Sequence, residues 1–413
     1  MAESAPRYKA KRNRHDLLEP SRVSIFHPDA RFFSRRNSTE RDVKQQMAKF
    51  SQFLQRKDIE LSAKRYGIDA LSAMAQGLFC TLLVGTILNT LGQMGVGFLN
   101  QVVVTIKSGD QSIGYTIGGL ASLMVGPGIA VAIGFALHCP PLVLFSLIPV
   151  GFAANAMGGA GGPLAVYFVA IVACECGKLV SKETKVDILV TPIVTILSGI
   201  GIAALIAAPI GKAASAVGTA IMWATELQPL LMGIVVSALV GIALTLPISS
   251  AAICAALGLT GLAGGAAVAG CCAQMVGFAV MSFKENRWGG LVAQGVGTSM
   301  LQMPNIIKNV RIWIPPTLAS MITGPLATCV FKLQMNGAPV SSGMGTCGFV
   351  GQIGVYSGWV SDVATGAKSA ITAMDWIGMA LICFVLPAVL SLVFCEILRK
   401  WGWIKENDLK LEL

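Results

Sequence analysis

Residues Ile234–Leu246, IVVSALVGIALTL, decide the fold class. A strand of a transmembrane barrel would alternate polar and apolar side chains with period two, and this run does not. In hydrocarbon every backbone N–H and C=O must find a partner inside the protein, which leaves the α-helix as the way across. Apolar stretches long enough to span, about 20 residues each, recur from residue 70 to residue 400. A mean hydropathy of +0.69 with 13% charged residues excludes an ordinary soluble protein. The expected fold is all-α: a polytopic membrane protein of about ten transmembrane helices, with re-entrant or broken helices in the C-terminal half.

Composition changes sharply at Tyr66/Gly67. Residues 1–66 hold 16 Lys/Arg, 8 Asp/Glu and no glycine, whereas all 46 glycines lie beyond them. The predicted organisation is a basic cytoplasmic arm (1–66), a transmembrane domain (67–400) and a short cytoplasmic tail (401–413). A basic arm before the first span is held on the cytoplasmic side by the positive-inside rule and is attracted to anionic lipid headgroups. No nucleic-acid-binding motif accompanies the charge, so no nucleic-acid partner is expected. Asn37–Ser38–Thr39 can cap a helix. Glu40–Lys64 then spaces Val43, Met47, Phe50, Leu54 and Leu61 helically, so this stretch lies on the membrane surface or packs on the protein's own loops. The first apolar run starts near Ala70, too late for a secretory signal peptide.

Spans are predicted at Leu71–Leu91 and near 114–137, 141–158, 162–177, 186–210 and 228–247. An apolar loop, Val96–Ile106, follows the first, and Gly211–Glu226 reads as lying flat in the outer interface. With the arm inside, the Lys178–Lys185 loop (KLVSKETK) returns inside, as its three lysines require. The last span, Ile371–Leu398, ends at Arg399–Lys400 with Trp401 and Trp403, an interfacial pairing. The location expected is the bacterial inner membrane, multi-pass, with a cytoplasmic N-terminus.

Three stretches interrupt the apolar pattern: Pro247–Ala251, Gly297–Asn305 and Gly343–Gln352. Short, polar segments broken by Gly or Pro line cavities, because freed backbone groups need water, protein or solute as partners. The candidate solute-binding residues are therefore Ser249, Ser250, Gln302, Asn305, Gly345, Thr346 and Gln352. They offer neutral donors and acceptors, which suits a neutral, hydroxyl-rich solute. Close helix packing through small residues is the competing reading of the glycines. Ionisable residues deep in the domain are few; Glu226, Lys308 and Arg311 stand out. The 11 cysteines include Cys174/Cys176 and Cys271/Cys272, with no zinc spacing and no neighbouring His. No metal, cofactor or catalytic residue is expected.

The runs PISSAAICAALGLTGLAGGAAVAGCCAQMVGFAV (247–280), GTSMLQMPNIIKNVRIWIPPTLAS (297–320) and GMGTCGFVGQIG (343–354) resemble the phosphotransferase-system sugar transporter subunit IIC, type 2 family, which includes the perfringolysin O regulator proteins. YGIDALSAMAQGLF (66–79) resembles the start of that family's first span. The resemblance covers roughly residues 66–400 and implies a homodimeric helical transporter that binds a sugar in the membrane. It also implies separate IIA and IIB partners that supply the phosphoryl group. The chain itself carries no Cys or His in a folded cytoplasmic domain to bear phosphate; His15 and His27 fall in the arm, and His138 stands beside Cys139–Pro140–Pro141. The leading expectation is thus the membrane subunit of a phosphotransferase-type sugar system, an enzyme only together with its partners. The alternatives are a secondary transporter of another small or lipid-like solute and a membrane-bound regulator or sensor without phosphotransfer.

Overall fold

The computed structural model describes residues 46–93, 95–108 and 111–411. The chain divides into two units, Met1–Phe53 and Leu54–Leu413, and the second holds the membrane helices. The candidate cap at 37–39, His15, His27 and residues 40–45 lie outside the described residues. Helix α1 covers 46–56, with Met47 and Phe50 exposed. It stops short of the Lys64 end read from the sequence, because Lys57–Asp58 form a turn in which Asp58 takes a left-handed φ of 53°.

The second unit opens with α2, Arg65–Gly92, the first apolar helix of spanning length. A β-hairpin follows, with β1 (Val104–Ser108) antiparallel to β2 (Gln111–Tyr115). It falls where an apolar loop was expected and is a local departure from an all-α chain. Thr116 then caps α3 (Ile117–Leu123) by accepting from Gly119 N at 3.0 Å. A 55° bend at Met124 leads into α4, Val125–Ala136. Proline at the first position, where no N–H is missed, starts α5 at Pro141 (Pro141–Gly158). Gly159, at φ 51°, breaks the helix before α6, Gly162–Val180. Val150 and Ala173 both approach Gly199, so α5 and α6 are antiparallel partners and not one continuous rod.

Helix α7, Asp187–Thr225, packs on both of them. It continues straight through the segment expected to lie flat. Lys212 is exposed on its surface and interrupts nothing, since one outward charge removes no backbone hydrogen bond. Then come α8 (Pro229–Thr245), the short α9 (Ser250–Ala256) and α10 (Gly261–Met281). Helix α10 is the axis of the C-terminal half: 89% of its most apolar window is buried, and α8, α13 and α15 pack around it. The remaining elements are α11 (Phe283–Val292), α12 (Met303–Lys308), α13 (Ile314–Pro325), α14 (Val350–Ala364) and α15 (Ala373–Lys400).

Among the described residues five helices are long and apolar enough to cross a membrane, or six if the pair bent at Met124 is one span. The protein is therefore an all-α membrane protein apart from its hairpin. The sequence reading of about ten spans also counts each arm of the α5–α6 hairpin and shorter or broken helices such as α8 and α13.

Several corners meet at one end of this unit. Asp58 accepts from Arg65 Nη1 and Nη2 at 3.0 and 2.6 Å and lies 3.3 Å from His138 Nδ1 at the α4–α5 corner. Lys178, near the end of α6, donates to Asp58 O at 3.1 Å. Glu183 binds Arg56 and Lys57 at 2.7 and 2.5 Å. The Arg65 hydrogen bond holds the Asp58 carboxyl below its ordinary range. A lowered folded pKa gives stability that is present above the unfolded value and lost as pH falls through the folded one. Thermal unfolding in detergent is expected to show a destabilisation setting in below about pH 4. Asp58→Asn is expected to remove this group's share of that acid dependence.

Candidate functional site

The three interrupted segments converge. Leu246 is extended after α8, and Ser249 caps α9 by accepting from Ala252 N at 3.2 Å. Ser250 Oγ donates to Gly343 O at 2.7 Å, tying α9 to the turn Pro339–Gly343. Thr298 is extended, and its hydroxyl accepts from Met300 N at 3.1 Å. These segments and α2 enclose a cavity of about 40 Å³. Ser249, Ser250, Thr298, Met300, Met344 and Cys347 line it, with Leu78 and Leu82 of α2 closing one side. This volume is far below the roughly 300–1,000 Å³ of an occupied small-molecule site, so the chamber as it stands is too small for a sugar.

Gly345 and Thr346 stand between two lining residues, Met344 and Cys347, and with Gln352 they pack on α10. Gly345, at φ 52°, is so close to the Cys271–Cys272 backbone that a Cβ would come within 2.6 Å of Cys271 Cβ. Thr346 Oγ1 donates to Met275 Sδ at 3.5 Å. Gln352 Nε2 lies 3.2 Å from Cys272 Sγ, while its buried Oε1 has no hydrogen-bond partner.

Gln302 and Asn305 sit in a second cluster. Helix α12 packs against Arg65–Asp69, the first turn of α2, so these amides lie toward the end where the basic corners meet. Gln302 Nε2 donates to Gln294 Oε1 at 2.9 Å and to Leu409 O at 3.0 Å. Asn305 Nδ2 donates to Gln302 Oε1 and to Lys410 O, both at 2.8 Å. Asn286 Nδ2 donates to Leu409 O at 2.7 Å, and its Oδ1 accepts from Leu411 N at 2.8 Å. Asn309 donates to Trp403 O and Asp408 Oδ2 at 2.9 and 2.8 Å. The segment after α15 is thus a docked strap, with Ile404 and Leu409 buried in an apolar cluster with Phe278, Ile306 and Ile312. Beside it, Asn305, Lys308, Asn309, Asn407, Asp408 and Lys410 line a cavity of about 240 Å³.

A third polar centre was missed in the sequence. Gln274, wholly buried in α10, accepts from Trp313 Nε1 at 3.0 Å and from Thr245 Oγ1 at 3.3 Å, and donates to Thr317 Oγ1 at 3.1 Å. Thr245 in turn meets Ser299 Oγ at 2.8 Å, linking α8, α10 and α13 to the wall beside Thr298. The signal was a lone glutamine within an apolar span, which marks a hydrogen-bonded interhelical contact. Among the described residues no group of three or more His, Cys, Asp or Glu is placed to hold a metal.

Comparison with curated proteins and with solved structures gives no match. The family model for the phosphotransferase system, EIIC, matches residues 68–411, from the second turn of α2 to the docked strap. The broken segments, the closed chamber and the strap all fall inside that match, and the chain belongs to the phosphotransferase-system EIIC family, the membrane component of a phosphotransferase sugar transport system.

Proposed function

We propose that this protein binds a neutral, hydroxyl-rich solute, a sugar, and carries it across the bacterial inner membrane, with the basic arm and the strap on the cytoplasmic side. The observation that supports this reading is the meeting of three interrupted segments on one cavity, where Ser249, Ser250 and Thr298 stand among mostly apolar lining side chains. Neutral hydrogen-bonding groups at helix breaks are how membrane carriers meet polar solutes at depth. Ser249, Ser250, Gly345, Thr346 and Gln352 form the outer part of the proposed site, and Gln302 and Asn305 the part nearest the strap. Separate IIA and IIB proteins supply the phosphoryl group, and two copies of the chain work as a homodimer.

A thermal-shift panel of hexoses, pentoses, polyols, organic acids and fatty acids tests this. Binding to the folded form alone raises apparent stability. A sugar or polyol is expected to give the largest shift. Ser249→Ala is expected to weaken its binding by roughly threefold to tenfold, the worth of one neutral hydrogen bond. One observation favours a second reading. A groove of about 560 Å³ between α2 and α4, lined mostly by apolar side chains with Asp69, Ser72 and Gln76 among them, suits an amphiphile. A panel in which only fatty acids shift the protein would replace the sugar reading with that one.

A further inference from the structure

We propose that Gln302 and Asn305 form an inward solute subsite and that the strap's own backbone carbonyls occupy it as a resident competitor. The inference rests on the sugar-binding reading above. The ligand class it takes is a neutral molecule that presents closely spaced oxygen acceptors, as adjacent hydroxyls of a sugar do. The strap already displays that pattern: the carbonyl oxygens of Leu409 and Lys410 receive the Gln302 and Asn305 amides at 3.0 and 2.8 Å.

Three features set this arrangement apart from ordinary tail packing. First, the donors are pre-aimed by a chain of amides behind them: Gln294 Nε2 donates to Ser282 Oγ and Gly290 O at 2.8 and 2.9 Å, and its Oε1 receives Gln302. Second, the subsite adjoins open space, because Asn305 also lines the 240 Å³ cavity beside the strap. Third, the strap has a clasp of its own. The Asn286 side chain grips the strap at two points, donating to Leu409 O and accepting from Leu411 N. Displacing the strap takes one acceptor from each amide, leaving one N–H of Gln302 and one of Asn305 to bond a replacement. A hydroxyl-rich solute supplies one. Solute and strap therefore exclude each other, and the apparent affinity is the intrinsic one multiplied by the fraction of time the strap is out.

The test combines solute affinity with strap release. Glucose, fructose, galactose, mannitol and sorbitol are titrated by thermal shift, and trypsin cleavage after Lys410 is followed by intact mass. The best-binding sugar or polyol is expected to speed that cleavage. Asn286→Leu, which opens the clasp, is expected to speed cleavage without sugar and tighten binding at least about tenfold. Asn305→Ala is expected to speed cleavage but weaken binding. If Asn286→Leu fails to fold, a chain lacking residues 406–413 supplies the affinity measurement in its place. For a sugar that binds the parent chain, cleavage left unchanged, or an affinity that clasp opening leaves unchanged, overturns the competition while the sugar reading survives. A sugar that binds only the strap-free chain supports it. Failure of every sugar on both chains defeats the sugar reading and this inference with it.

Discussion

Gly270→Val is expected to leave no folded protein. Helix α10 crosses α8 where Gly270 faces Ser237, and a Cβ built on Gly270 would come within 2.5 Å of Ser237 C and 2.7 Å of Ser237 Cα. Those are backbone atoms, so no side-chain rotation relieves the clash; the two helices would have to separate. They cannot do so cheaply, because α13 packs on both of them and approaches α8 equally closely at Gly324, where Ser237 Oγ donates to Ser320 O at 2.8 Å. In lipid the attraction between helices comes from close packing and interhelical hydrogen bonds, and this substitution removes both at once. Size-exclusion chromatography in mild detergent should show the parent as a defined species and Gly270→Val as aggregate or no protein. Gly201→Val, at a helical site with nothing within 4 Å of its Cβ, should match the parent. A defined, parent-like peak for Gly270→Val would mean the α8–α10 crossing is not closely packed.

Glu175→Leu is expected to cost about 3–5 kcal/mol, and adding Lys178→Met to recover most of it. Lys178 is 1% exposed, one of the largest wholly buried side chains, with Glu175 3.4 Å away and Asp58 O at 3.1 Å. Taking the carboxylate away strands an ammonium out of water. Replacing both partners by apolar groups of similar volume leaves no buried charge and takes only one donor from Asp58 O. Denaturant or thermal unfolding of the single and double variants measures the difference. A double variant as unstable as the single would show that the cost comes from lost packing and not from the uncompensated charge.

Much of this fold can be read from its residues, for physical reasons that differ by region. The helices of the first half follow from uninterrupted apolar runs with proline at their starts, as at Pro141 and Pro229. The chamber is legible because Pro247, Gly297 and Gly343 are the places where a helix must release backbone groups. The partners of Gln302 and Asn305 are not legible, because they are backbone carbonyls about a hundred residues away and any sequence supplies carbonyls. Lys212 misleads as a helix end, since a single outward charge weighs on hydropathy but not on helical geometry. The hairpin at Val104–Tyr115 was hidden by length: its strands are too short to show a clear alternation beside so many apolar helices.

The α5–α6 hairpin has a consequence for how the protein is made. From Pro141 to Cys174 the chain carries no charged residue, and the reversal is made by Gly158–Gly159–Ala160–Gly161–Gly162 alone. A pair of helices joined this way asks the insertion machinery to translocate no hydrophilic loop, so the usual penalty for moving ionised groups past hydrocarbon is absent. Both helices can leave the translocon together as a single apolar wedge. Charge that could bias their orientation by the positive-inside rule lies outside the wedge, in the lysines from Lys178 to Lys185 at one foot.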